Sequence, residues 1–258
     1  MNTIVALFDN RLDNIERHVQ LLDKLRALGS VREARSIRRT RLGQTTLDLR
    51  QDIRSCRSWE TIGVDGCVLS LCGEFELAAR DLTERASELL AAKFKRYSHL
   101  PEPIRLKNVE LVGELLSKRW RQKTSGVNYV QVVEDLNQCL TKEKPIRLYS
   151  AGFATHDHNL NSKWLAEIFG RLEVEDLWRK IGPAPGMMAH FGTQTVETTA
   201  KAARDKLDSF MEVRNQIAHR GPNYQTVGSS VVLDYVAFFR LLVPALAGVL
   251  QDHLAGFP

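Results

Sequence analysis

The stretch Phe210-Met211-Glu212-Val213-Arg214-Asn215-Gln216-Ile217-Ala218-His219-Arg220-Gly221 decides how this chain is read. An α-helix advances about 100° per residue. With Arg214 at the origin, Val213, Ile217, Phe210 and Leu207 fall at about 260°, 300°, 320° and 20°, one apolar stripe. Asn215 and His219 fall at about 100° and 140°, on a flank that the stripe does not use, with Arg214 at the near edge of the stripe. The helix thus offers an arginine, an amide and an imidazole outside its own packing. Gly221 and Pro222 are expected to stop it, leaving His219 in the last turn, where the helix dipole favours the imidazolium form. A plainer account stays open: a polar helix end, with Asn215 and His219 in water and Arg214 paired with Glu212 or Asp208. Spacing alone does not choose between them.

Outward from this stretch the pattern remains helical. Residues 193–219 form the helix that carries it, with Thr193 or Thr195 as N-cap. Residues 230–254 repeat apolar positions at helical spacing, and Pro244 should kink or break them. Upstream lie a surface loop at Gly182–Gly186, a short helix around Leu177 and Trp178, and a helix capped by Asn161 or Ser162 with Trp164, Leu165, Ile168 and Phe169 on its inner face. The loop before it holds His156, Asp157 and His158, residue types of a metal site. No further ligands follow these two histidines at helical spacing, so no metal is expected. Ile146–Phe153 reads as a short strand or an extended connection. Residues 129–140 and 104–119 read as helices.

Residues 67–97 are apolar enough on several sides to form a central core helix, entered by a turn at Gly63–Gly66. Glu74 and Glu76 lie in its apolar half and must turn outward or find a partner. Residues 32–57 carry Arg32, Arg35, Arg38, Arg39, Arg41, Arg50, Arg54 and Arg57 with few acids. That run is either a phosphate-contacting face or a solvated one backed by Leu47, Leu49 and Ile53. Residues 2–28 form an amphipathic helix closed by Gly29, which must pack on the main domain or on a partner chain. The expected architecture is an all-α bundle, with residues 1–58 a helical, Arg-rich extension and residues 59–258 the main helical domain.

Composition excludes some classes. Of 258 residues, 43% are hydrophobic, enough for a core, and the formal charge of +5 permits a polyanionic partner without demanding one. Cys56, Cys67, Cys72 and Cys139 form neither a CxxC pair nor a disulfide framework, which fits a reduced cytoplasmic setting. No apolar run approaches the length of a membrane span, and Met1–Asn10 does not read as a secretory signal.

The Phe210–Gly221 stretch resembles the signature of the HEPN superfamily, an arginine followed after four to six residues by a histidine, with asparagine often next to the arginine. Leu71–Leu82 is similar to the early core helix of HEPN proteins. Asn159–Phe169 resembles a segment of the RiboL-PSP-HEPN and MAE-type bacterial branch. The likeness spans about residues 60–253, in order, and leaves the first 58 residues without a counterpart. It implies an all-α fold that dimerises and pairs two motifs. It further implies metal-independent cleavage of RNA, with no cofactor, leaving 2′,3′-cyclic phosphate and 5′-hydroxyl ends. His219 would be acid and base, Arg214 would hold the phosphate, and Asn215 would orient His219 or donate to phosphate. Glu76 is a further candidate, pairing with Arg214 or serving the core. Arg220, Arg35, Arg38 and Arg39 are candidate RNA contacts. The setting implied is bacterial antiphage defence or toxin–antitoxin biology, acting on tRNA or mRNA, with a regulatory, antitoxin or sensor protein as partner. Gly221 stands where some members that work with a nucleotidyltransferase carry a modifiable tyrosine, so the plain nuclease version is the one retained. Two other readings remain at this point: a non-catalytic HEPN-fold subunit that binds RNA or a partner protein, and a helical scaffold in which the motif is coincidental.

Overall fold

The computed structural model describes residues 1–30, 41–55, 58–117, 128–155, 159–219 and 227–258. Among these the regular structure is entirely helical, as expected. The helices are α1 (Asn2–Ser30), α2 (Arg41–Ser55), α3 (Trp59–Lys93), α4 (Glu102–Leu116), α5 (Tyr129–Lys142), α6 (Ser150–Ala154), α7 (Ser162–Gly170), α8 (Leu177–Ile181), α9 (Met187–Phe191), α10 (Val196–His219) and α11 (Ser229–Ala255). Tyr97–His99 is a 3₁₀ turn. By contacts the chain forms two compact units, one from Met1–Leu7, Phe75–Met211 and Leu241–Pro258, the other from Phe8–Glu74 and Glu212–Arg240.

In the first unit, Phe75, Leu82, Ile104, Leu111, Phe153, Phe169 and Phe210 are fully buried. Buried polar groups there are paired, as the low-dielectric interior demands. Asn108 accepts from the Tyr149 backbone N–H at 2.8 Å and donates to the Tyr97 hydroxyl at 3.4 Å. Nη1 of Arg171 donates to the carbonyls of Gly152, Phe153 and Thr155, which closes the C-terminal end of α6. Residues 146–153, expected as a short strand or an extended connection, form no strand: 146–149 carry no regular structure and Ser150–Ala154 is helical.

In the second unit, α1 buries Phe8, Leu12, Ile15, Val19 and Leu22, a stripe at steps of three and four. It packs on its own chain rather than waiting for a partner. Arg11 pairs with Glu74 at 2.6 Å and Arg26 with Glu60 at 2.9 Å, joining α1 to α3. Arg240 on α11 reaches Asp9, Asp13 and Glu16 together. These partners are all partly exposed, so the apolar stripe contributes more than the ion pairs.

Several local expectations are corrected by packing. Gly63 and Gly66 form no turn, because α3 runs through both. A Cβ at Gly63 would sit 2.7 Å from Leu22 Cδ2, so the glycine permits close approach of α1 and α3. Helix α1 runs through Gly29 to Ser30, α3 ends at Lys93, and α11 continues unbroken through Pro244. Thr195 caps α10, its Oγ1 accepting from the Thr198 N–H at 3.2 Å. On α2 the expected orientation is reversed at one step: Leu49 is exposed and Arg50 buried. On α5 the apolar positions Val130, Val133 and Leu140 are exposed, and Cys139 is the residue buried. Contrary to the expectation from the sequence, helix α11 is long and apolar enough, by length and composition, to cross a membrane. Its Val232, Val236, Phe238, Phe239, Leu242 and Leu246 are buried in the fold, which makes it a core helix here.

Candidate functional site

Arg214, Asn215 and His219 occupy the last two turns of α10. Leu207, Phe210 and Ile217 are buried and Val213 half-buried, as the wheel requires. Arg214 and Asn215 are half-buried, and His219 is exposed. The Arg214 guanidinium donates from Nη1 to the Asn215 side-chain oxygen at 3.3 Å. The amide thus lies against the arginine; the sequence expectation placed it toward the histidine or a phosphate.

The two acids that the plainer account gave to Arg214 are occupied elsewhere. Asp208 accepts from the Ser162 backbone N–H at 2.8 Å and from its hydroxyl at 2.7 Å. Glu212 accepts from Gln216, one turn on. Among the described residues Arg214 makes no ion pair and His219 has no hydrogen-bond partner. A half-buried guanidinium without a carboxylate is costly unless an anion arrives to meet it. That is the electrostatic character of a phosphate seat.

The Asn159–Phe169 segment acquires a structural reason. Asn161 caps α7, accepting from the Trp164 N–H at 3.0 Å, and Ser162 docks the start of α7 on Asp208 of α10. Trp178 adds a bond from its indole N–H to the Ser162 carbonyl at 3.1 Å. Replacing Asp208 with alanine strands a backbone N–H and a hydroxyl that are largely out of water. The expected cost is about 1–3 kcal/mol in a urea unfolding curve, with Asp208→Asn less severe because the amide oxygen still accepts.

The other candidates are placed as follows. Glu76 lies half-buried on α3 and makes no ion pair among the described residues, whereas Glu74 is held by Arg11. Arg220, Arg35, Arg38 and Arg39 lie outside the described residues, as do Gly221, Pro222 and the His156–Asp157–His158 loop. Among the described residues there is no group of three or more histidine, cysteine or acidic side chains arranged to hold a metal ion. Cys67, Cys72 and Cys139 are buried and in no disulfide, and burial pushes the Cys67 and Cys139 thiols up, away from reactive thiolate. Sequence reading missed one feature. Two adjoining cavities of about 570 and 460 Å³ in the first unit share Asp176 and Arg179, and the cations around them come from separate helices.

Fold and site together define a class: an all-α protein that presents an arginine–asparagine pair and a histidine at the end of a long helix. The RiboL-PSP-HEPN family model matches residues 60–252, and the chain belongs to that family. The three segments that carried the HEPN resemblance all lie inside the match. HEPN proteins are generally ribonucleases, which gives the chain a nuclease or RNA-related function in outline. No curated protein and no solved structure matches it.

Proposed function

We propose that the protein is a metal-independent endoribonuclease of the HEPN type, active as a homodimer that brings two Arg214–Asn215–His219 motifs to one site. The observation that carries this reading is an Arg214 with no ion pair among the described residues beside an exposed His219, in a chain of this family. RNA supplies its own nucleophile. One imidazole takes the 2′-hydroxyl proton as the 2′-oxygen bonds to phosphorus. The second donates a proton to the departing 5′-oxygen as its bond to phosphorus breaks. The guanidinium groups offset the charge that gathers on the phosphoryl oxygens. The products are a 2′,3′-cyclic phosphate and a 5′-hydroxyl.

In the same proposal, residues 59–258 are the catalytic domain and residues 1–58 its helical extension. The setting is cytoplasmic, in bacterial defence or toxin–antitoxin biology, with a regulatory protein partner. The test is incubation of the pure dimer with total RNA and with tRNA in EDTA, followed by end analysis of the fragments. Cyclic-phosphate and 5′-hydroxyl ends are expected at an undiminished rate in chelator. RNA bound in a salt-sensitive way but left intact would instead favour the non-catalytic RNA-binding subunit.

A further inference from the structure

The cavities of the first unit have a specific chemistry. The smaller one is backed by Ala166 and the buried Trp178 and Ala200, and its rim carries Arg179, Lys201 and Arg204 with Glu197. Lys201 and Arg204 stand three residues apart on α10, so they project from one flank. Neither makes an ion pair among the described residues. Arg179 pairs with Glu197 only at 3.8 Å, and about 70% of both side chains is exposed, so a stronger anion displaces that contact readily. Asp176 lines both cavities and makes no capping hydrogen bond to α8, which leaves its carboxylate able to accept.

We infer that this groove is a seat for a single strand of RNA, with successive phosphates on the cations of its rim. Spaced cations on a groove suit a phosphate backbone. Asp176 can accept from a ribose 2′-hydroxyl, the group that separates RNA from DNA. A strand fits better than a lone nucleotide. Either cavity alone is in the range that holds one small ligand, while the two run together through Asp176 and Arg179. The inference rests on the proposal that RNA is this protein's ligand, and extends it to a binding surface with named residues.

The test is the anisotropy of a short labelled single-stranded RNA, titrated with full-length protein carrying His219→Ala so that the strand is not cut, at several salt concentrations. Adding Lys201→Glu and Arg204→Glu should weaken binding at least about tenfold and flatten the salt dependence by a slope of about 1.4, from two lost phosphate contacts. Lys201→Arg with Arg204→Lys should keep affinity within about twofold, since charge is conserved at exposed positions. A circular-dichroism melt confirms that each variant is folded. DNA of the same sequence should bind more weakly, and Asp176→Ala should remove that preference. Unchanged RNA affinity in the charge-reversed protein overturns the seat. Competition by a nucleoside monophosphate at concentrations matching the strand's own nucleotides overturns the strand in favour of a free nucleotide. If the His219-intact enzyme cuts nothing while the groove behaves as stated, the catalytic proposal fails and the seat stands. If RNA is cut while the groove variants bind it as before, the seat fails and the catalytic proposal stands.

Discussion

His219→Ala is expected to leave RNA almost uncut. The expected loss is about 10²–10⁴-fold in cleavage rate, the usual weight of a positioned acid or base. Arg214→Ala should lose about 10²–10³-fold, the weight of one group aimed at transition-state charge. Arg214→Lys should rescue little, because an ammonium cannot present the planar fork of donors that a phosphoryl group accepts. The His219 change should leave folding almost untouched, since the side chain is exposed and has no hydrogen-bond partner among the described residues. A shift within about 0.5 kcal/mol is expected there. The dimer should survive both. Subunit exchange adds a sharper test. Wild-type chains mixed with an excess of the Arg214→Ala, His219→Ala double variant should lose activity per wild-type chain if each site draws on two protomers. Activity per wild-type chain that stays constant would exclude the shared site. Cleavage that survives both single substitutions would exclude the motif altogether.

Much of the fold is legible in the sequence, and the reason is physical. The stripe of Leu207, Phe210 and Ile217 has helical period, and period alone predicts which flank α10 buries. Asn161 as N-cap and Phe75 as core follow from equally local rules. What escapes local rules is long-range. Nothing within α3 indicates that Gly63 answers to Leu22 from α1, so a glycine that permits close packing reads as a turn. The pattern of α5 is helical as expected, but period cannot say whether Val130 and Val133 face a neighbour or water. At the site, the residues are legible and their wiring is not. That Asp208 serves Ser162, 46 positions away, is what leaves Arg214 without it. The cationic groove is hidden for the same reason, since Arg179, Lys201 and Arg204 look like ordinary surface charge until α8 and α10 are brought together.

Phe210→Ala should be the most destabilising change near the motif. The ring is fully buried one turn before Arg214, on the stripe that fixes the orientation of α10. Truncation removes apolar contact and leaves a cavity that a close-packed interior fills only in part, at a cost of about 3–5 kcal/mol. For a chain of 258 residues that corresponds to a fall in Tm of about 6–20 °C. Phe210→Leu should cost much less, since most of the volume stays. Gln216→Ala, on the exposed side of the same helix, should move stability by no more than about 0.5 kcal/mol. The decisive comparison is activity well below the lowered Tm. Leu207, Met211 and Ile217 are still buried, so α10 keeps its register and the folded fraction of Phe210→Ala should retain cleavage within about tenfold of wild type. His219→Ala should show the reverse, near-full stability and almost no cleavage. A Phe210→Ala protein that melts like wild type would mean that the apolar stripe does not hold the helix, and that something other than the stripe turns Arg214 and His219 away from the core.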